Sequence, residues 1–379
     1  MKFFHLSDLH IGKRVNEFSM LEDQKHILAE ILNAVDDEKP DAVVIAGDVY
    51  DKTVPPSQGV TLFDEFLTSL AKRGPEVLIV SGNHDSPERL AYGAKLFKKG
   101  GIHISPVFDG AFEPVVLHDG FGEVRFWLLP FIKPLHARAA YDDDTIQTST
   151  DALRAAITHM RIDADVRNVL IAHQFVTGAA LSADSEEMYV GSADNADASV
   201  FDDFDYVALG HIHKPQHIGR ETVRYCGTPL KYAFSEIGNK NGICVVELGK
   251  KGETAIRAIP LRPLHEMREI RGSYNELTLR ENYEGTATDD YLRIVLTDED
   301  DVPGAFGRLN GIYPNLMQLA YDNARTRTNT PVEFARDAQR KTETELFGEL
   351  FEKQNGRPMS EEQTALVASI FERLKEERQ

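Results

Sequence analysis

Five short apolar runs, each cut off by a cluster of Asp, His, Asn and Gly, constrain this chain more than any other feature. Residues 2–6 lead into Ser7-Asp8-Leu9-His10, residues 42–46 into Gly47-Asp48, and residues 77–80 into Ser81-Gly82-Asn83-His84-Asp85. Residues 169–172 end on His173, and residues 206–209 on Gly210-His211-Ile212-His213. Runs this short and this rich in Val, Ile, Leu and Phe read as buried strands. Helical patterns separate the first three. Residues 20–35 put Leu21, Ile27, Leu28, Ile31, Leu32 and Val35 on one stripe, and residues 57–71 do so with Val60, Phe63, Phe66, Leu67 and Leu70. A third helix is expected from Ser86, with Pro87 in its first turn, to near Gly100. Strands alternating with helices make an α/β fold, in which sites form beyond the carboxyl ends of the strands, so the five clusters should meet at one edge. Later runs at 115–117, 124–129, 243–248 and 255–261 read as antiparallel strands of a second sheet behind the first. The expected architecture is two stacked, mainly mixed sheets flanked by helices.

The clusters supply Asp8, His10, Asp48, Asn83, His173, His211 and His213, oxygen and imidazole donors without a thiolate. Such a mixture suits Mn, Fe or Zn better than Ca or Mg. Seven donors exceed the needs of one ion that keeps a water, whereas two ions about 4 Å apart, sharing a carboxylate, use them all. The expected assignment is Asp8, His10, Asp48 and His213 on one ion and Asp48, Asn83, His173 and His211 on the other, with Asp48 as the bridge. Two divalent ions carry four positive charges, and two Asp and a bridging hydroxide return three, so the site attracts a phosphodiester. His84 is placed to bind the phosphate and protonate the departing oxygen, with Asp85 orienting it. Each motif alone has a plainer explanation. Gly-Asp after a strand is usually a turn, and Asn-His-Asp suits an Asx turn ahead of a helix. Five strand ends that all carry metal-competent donors make the joint case.

Composition bounds the rest. No apolar run reaches the roughly 18 residues of a membrane span, and Met1 to Asp8 is no signal peptide, so a cytoplasmic protein without a membrane partner is expected. Cys226 and Cys244 are too few for a disulfide framework. A net charge of -19 repels free DNA. Part of the excess is local: residues 181–210 carry Asp184, Glu186, Glu187, Asp194, Asp197, Asp202, Asp203 and Asp205 with no Lys or Arg, which reads as a solvated acidic loop. A DNA-cutting protein of this charge needs metal ions, local basic positions or a basic partner.

In this order, Asp8-x-His10, Gly47-Asp48, Gly82-Asn83-His84-Asp85, His173 and Gly210-His211-x-His213 resemble the calcineurin-like metallophosphoesterase superfamily. Within it, Ser7-Asp8-Leu9-His10-Ile11-Gly12, Gly47-Asp48-Val49-Tyr50-Asp51, the stretch from Tyr206 to His213, and Arg224-Tyr225-Cys226-Gly227-Thr228-Pro229 resemble the nuclease subunits of bacterial repair complexes built with an SMC-like ATPase. That resemblance implies a four-layer fold and a manganese-dependent nuclease that acts as an exonuclease on duplex ends and an endonuclease on single strands or hairpins. It also implies DNA and an ATPase subunit as partners, in a heterotetramer around a homodimer of this chain. Some archaeal relatives carry a second His where this chain has Asp51. Protein phosphatases of the superfamily show Gly-Asp-x-x-Asp-Arg and Gly-Asn-His-Glu, where this chain has Lys52 and Asp85. A small-molecule phosphodiesterase or phosphatase is the competing reading.

The expected organisation is a nuclease domain over residues 1–265, an α+β cap module over 266–325 that contacts DNA in the family, and C-terminal helices over 330–379. In the tail, Pro331 opens a helical stretch with Leu346, Phe347, Leu350 and Phe351 on one stripe. A last helix starts at Ser360, with Gln363 completing a capping box and Leu366, Val367, Ile370, Phe371 and Leu374 on one face. These helices either pack on each other or, as the resemblance implies, dock on the ATPase.

Overall fold

The computed structural model describes residues 1–180, 195–324, 326, 347–348, 351 and 358–376. Phe3, Phe4 and Leu6 of the strand Lys2–Leu6 are all buried, so this strand needs cover on both faces. It lies inside a six-stranded sheet ordered Thr254–Pro260, Gly242–Leu248, Lys2–Leu6, Ala42–Ala46, Glu76–Val80 and Ile102–Ile104. The last four strands are parallel, and the pairings that join the first three are antiparallel. A second sheet runs Gln216–Ile218, Arg220–Tyr225, Tyr206–Gly210, Arg167–His173, Gly122–Leu129 and Val115–Asp119, parallel through its four central strands.

Strand alternation sorts the apolar side chains into three cores. Phe3, Val44, Leu78 and Val80 meet Phe126, Val169, Ile171 and Tyr206 between the sheets. Phe4, Leu6, Val43, Ile45 and Ile79 pack under the helices Leu21–Glu38 and Ser57–Arg73. Leu129, Leu170, Ala172 and Val207 pack under Pro134–Tyr141 and Ser149–Met160. The result is four layers, helix on sheet on sheet on helix, the α/β class expected from the sequence.

Four details differ from the sequence reading. The hairpin of Gly242–Leu248 and Thr254–Pro260 extends the first sheet, with Phe3 opposite Val246 and Phe4 opposite Val245. The strands ending at His173 and Gly210 belong to the second sheet, so the clusters come from two facing sheets and not from one edge. Val60 is 44% exposed, because the buried stripe of its helix runs through Gly59, Phe63, Phe66 and Leu70. The third helix is broken into Pro87–Leu90 and Ala94–Phe97, since Gly93 takes a left-handed conformation, φ 75°, between them.

Downstream, Met267–Gly272, Tyr291–Leu296 and Leu316–Tyr321 form a three-stranded sheet in that order, accompanied by the short helices Tyr274–Thr278, Arg280–Tyr283 and Ala305–Asn310. By packing, the chain divides into two compact units. One comprises Met1–Ile270, Thr286–Arg293 and Asn310–Gln318; the other comprises Arg271–Gly285, Ile294–Leu309 and the described residues from Leu319 onward. The C-terminal helix Glu361–Glu376 begins with a reciprocal cap, Ser360 N–H donating to Gln363 Oε1 at 2.9 Å and Gln363 N–H to Ser360 Oγ at 3.2 Å. Leu366 and Ile370 on this helix are exposed, and the Phe371 ring lies 6.3 Å from Phe347. Asp184, Glu186, Glu187 and Asp194 of the acidic stretch, and most of the tail helix expected from Pro331, lie outside the described residues. No helix among the described residues is long and apolar enough to cross a membrane.

Candidate metal centre

The strand ends are held open for chemistry by unusual backbone. Asp8 (φ 51°), His10 (φ 45°), Asp48 (φ 49°) and His211 (φ 103°) all have positive φ, a region that costs an ordinary residue of order 1–3 kcal/mol and persists where surrounding structure imposes it. That imposition is visible. Asp8 N–H donates to Gly47 O at 3.0 Å, His10 N–H to Asp48 O at 3.0 Å and Ile11 N–H to Val49 O at 2.9 Å, knitting the first two loops together. Gly82 and Gly210 bring backbones closer than any Cβ allows. A Cβ on Gly82 would lie 2.1 Å from Asp48 Oδ1, and one on Gly210 would lie 1.9 Å from Ala46 O across the two sheets.

On this frame the metal-competent side chains converge. His10 Nε2 lies 3.1 Å from His213 Nε2 and 3.8 Å from Asp48 Oδ2. The same Asp48 Oδ2 lies 3.3 Å from His173 Nε2. Asn83 Oδ1 receives His173 Nε2 and His211 Nδ1, each at 3.0 Å. Asp8, His10 and His213 offer donor atoms all within 4.8 Å of one another, as do Asp8, Asp48 and His173, and His10, Asp48 and His84. Asp8, His10, Asp48, His173 and His211 are each at most 2% exposed.

Among the described residues no Lys or Arg is paired to Asp8 or Asp48, and two such buried carboxylates are costly unless a cation joins them. Burial pushes Asp8 above the usual carboxylate range. It would do the same to Asp48, but the neighbouring His173 imidazole outweighs it and holds Asp48 well below that range. Burial likewise opposes a charge on His173, and Asp48 overrides it, raising His173 to about 10. Burial lowers His211 to about 3 and His10 well below its ordinary value, keeping both neutral, the form in which imidazole ligates. His10 Nδ1 is buried with no hydrogen-bond partner among the described residues and lies 3.8 Å from Asp51 Oδ1. Lone pairs and carboxylates that face one another in this way fit a divalent transition metal.

Asp85 requires a correction. It does not orient the His84 ring: its carboxylate accepts from Gly82 N–H at 2.9 Å, Tyr50 N–H at 3.0 Å and Val49 N–H at 3.1 Å, clamping the second cluster to the third. Burial and the nearby Asp48 raise its pKa to about 6. The His84 ring is instead held through Nδ1, 2.9 Å from the Asp51 carbonyl, while its backbone N–H donates to Asp48 Oδ1 at 2.9 Å.

Supporting residues absent from the sequence reading complete the centre. Glu236, 1% exposed, accepts from His213 Nδ1 at 2.7 Å and from Tyr232 N–H at 2.8 Å. A carboxylate can only accept, so the Nδ1 proton is committed and the His213 Nε2 lone pair faces inward. Gln24 donates to His10 O at 2.7 Å and accepts from Gly12 N–H at 2.9 Å. Gln24 had a legible signal, a polar residue on the buried stripe of the first helix at the spacing of Ile27, Leu28 and Ile31. Glu236, 23 residues from its histidine, had none.

The calcineurin-like phosphoesterase family profile matches residues 1–215, and the one described as Type 5 capsule protein repressor C-terminal domain matches residues 263–355. The SbcD subunit of the SbcCD nuclease from Staphylococcus saprophyticus subsp. saprophyticus is 31% identical over 381 residues, covering 100% of this chain and 99% of that protein. The protein of the same name from Staphylococcus epidermidis is 32% identical over 323 residues, covering 84% of this chain and 85% of its own. Among solved structures, a dimetal phosphatase from Danio rerio aligns over 69% of this chain and 96% of its own at 12% identity, with a TM-score of 0.42.

Proposed function

The chain belongs to the calcineurin-like phosphoesterase family and is a metal-dependent nuclease, and from that premise we propose that it cuts DNA with a manganese pair, as the nuclease subunit of a complex with an SMC-like ATPase resembling SbcC. The observation that carries the paired-metal reading is Asp48: one carboxylate oxygen faces His10 from the first sheet and His173 from the second. Asp8, His10, Asp48 and His213 would hold one ion, and Asp48, Asn83, His173 and His211 the other. When bound, such ions acidify a water and neutralise charge on the phosphoryl oxygens. The protein's own groups do the rest. Asp48 and Asp8 fix the anionic frame, and burial keeps bulk water from screening it. His84, its Nδ1 held 2.9 Å from the Asp51 carbonyl, would bind the phosphate through Nε2 and protonate the departing oxygen. Asp85 clamps backbone, and its part in catalysis is positional.

In this reading the activity is exonucleolytic on duplex ends and endonucleolytic on single strands and hairpins. The module over 266–325 contacts DNA, and the helices over 330–379 dock on the ATPase; exposed Leu366 and Ile370 support that docking. Two copies pair through the helices near the active-site strands, that of residues 57–71 and the broken third one over 89–97, a proposal supported by Tyr92 and Leu96, 83% and 72% exposed. The test is cleavage of linear duplex, hairpin and single-stranded DNA with Mn, Mg or chelator, beside bis-p-nitrophenyl phosphate. Mn-dependent cleavage abolished by His84→Ala is expected. Hydrolysis of the small ester with every DNA left intact would favour a small-molecule phosphodiesterase instead.

A further inference from the structure

Beside the metal centre lies a pocket of about 130 Å³ that the hydrolytic mechanism does not use. His211 forms part of its wall, so the pocket is continuous with the centre. Two half-buried phenylalanines flank that imidazole. The Phe131 ring stacks near-parallel to it, 6.5 Å away at 20°, and the Phe175 ring meets it edge-on at 6.1 Å and 76°. Phe131 also lies edge-on to His173 at 6.3 Å. Its backbone is fixed, since Phe131 N–H donates to Ser81 O at 2.8 Å at the head of the Gly82-Asn83 loop. The buried Gln174, which donates to Ile132 O at 3.1 Å, and the exposed Lys133 also line the pocket.

Size, wall chemistry and charge point to one occupant. A cavity of about 150 Å³ holds one benzene-sized ring, so a surface pocket of about 130 Å³ takes the six-membered ring of a base edge-first and leaves the rest of the nucleotide outside. Aromatic walls take any nucleobase by stacking, irrespective of sequence. An exposed lysine suits the phosphodiester that such a base carries, on a protein whose net charge of -19 otherwise repels it. We propose that the Phe131–Phe175 pocket is a subsite for the nucleobase next to the scissile phosphodiester, so that the enzyme engages a nucleotide whose base has left the duplex stack. The proposal rests on the nuclease reading above. It deepens that reading by giving unpaired ends, hairpin tips and single strands a common physical basis: each presents a base free to enter the pocket.

The test uses the full chain with Mn and single-stranded oligonucleotides in which one abasic site is moved along the strand, with kcat/KM followed at each phosphodiester. In the wild type, removing the base beside the cut should slow cleavage there by roughly 5- to 150-fold, the range of one base–aromatic stack. Phe131→Ala and Phe175→Ala should show the same loss on the intact strand and no further loss on the abasic one. Phe131→Tyr should restore most of the rate. Mn affinity, titrated directly on each variant, should stay at the wild-type value. Equal cleavage of abasic and intact strands by the wild type would overturn the proposal. Weakened Mn binding in the alanine variants would also overturn it, since the rings would then merely pack the histidine ligands. Failure of the wild type to cut any DNA would remove the nuclease reading, and the subsite with it.

Discussion

Glu236 is the sharpest place to test how the protein holds metal. Its two oxygens have fixed duties, one on His213 Nδ1 and one on Tyr232 N–H, and the residue is 1% exposed, so water cannot substitute. Glu236→Gln keeps the volume but leaves one acceptor for two donors. The backbone N–H of Tyr232 cannot change, so the amide oxygen goes to it and the amide NH2 faces His213. The histidine must then accept at Nδ1 and carry its proton on Nε2, which turns an N–H toward His10 and the centre. Loss of such an outer carboxylate costs 10- to 100-fold in metal affinity, about 1.4–2.7 kcal/mol. The assay is calorimetric titration of metal-free protein with Mn. We expect one of two binding steps to weaken by that factor while the other is preserved. Glu236→Ala should weaken the same step and also lower stability by about 1–3 kcal/mol, because a buried backbone donor is left unpaired. Unchanged affinity at both steps in a folded Glu236→Gln protein would refute the tautomer argument.

Three further outcomes follow from the same frame. Asp85→Ala strands three backbone N–H groups, two of them buried, and should cost about 2 kcal/mol or more by urea denaturation, and a loss below about 1 kcal/mol would show that the clamp is not structural. Gly82→Ala drives a Cβ to 2.1 Å from Asp48 Oδ1; activity should fall at least about 100-fold with the far-ultraviolet spectrum kept, and wild-type activity would contradict the close approach. His5, buried between the sheets and hydrogen-bonded to Tyr206 OH at 3.0 Å, is held by burial at a pKa of about 3 against 6.5 unfolded. Between those values the unfolded chain binds a proton that the folded one refuses, so stability falls as pH drops below 6.5, by up to about 1.4 kcal/mol per unit. Denaturation midpoints of wild type and His5→Asn between pH 7 and 5 should diverge accordingly, and identical slopes would refute it.

The parts of this molecule that were legible in the sequence are those where local chemistry and local backbone coincide. Asp8, His10, Asp48, Asn83, His173, His211 and His213 stood out because each ends an apolar run, often beside a glycine, and the structure brings them within reach of one another. Sheet membership was not legible. Gly242–Leu248 is buried on both faces, and nothing in its pattern says whether it pairs with Lys2–Leu6 or with the second sheet; that is settled by contacts over two hundred residues apart in sequence. The break at Gly93 is not legible because the flanking residues keep helical spacing, and one left-handed residue suffices to interrupt it. Asp85 beside a histidine suggests a pair in the sequence, whereas in the fold backbone donors from two loops meet its carboxylate. Glu236 reaches His213 through a short turn at Phe234–Glu236, a relation that no spacing encodes.

The proposed paired-metal mechanism depends above all on Asp48 serving as a shared ligand. Crystals grown metal-free and soaked in manganese would show it in an anomalous-difference map. Two peaks about 4 Å apart should flank the Asp48 carboxylate, one in reach of Asp8, His10 and His213 and the other of Asn83, His173 and His211. A single peak, or peaks away from Asp48, would contradict it.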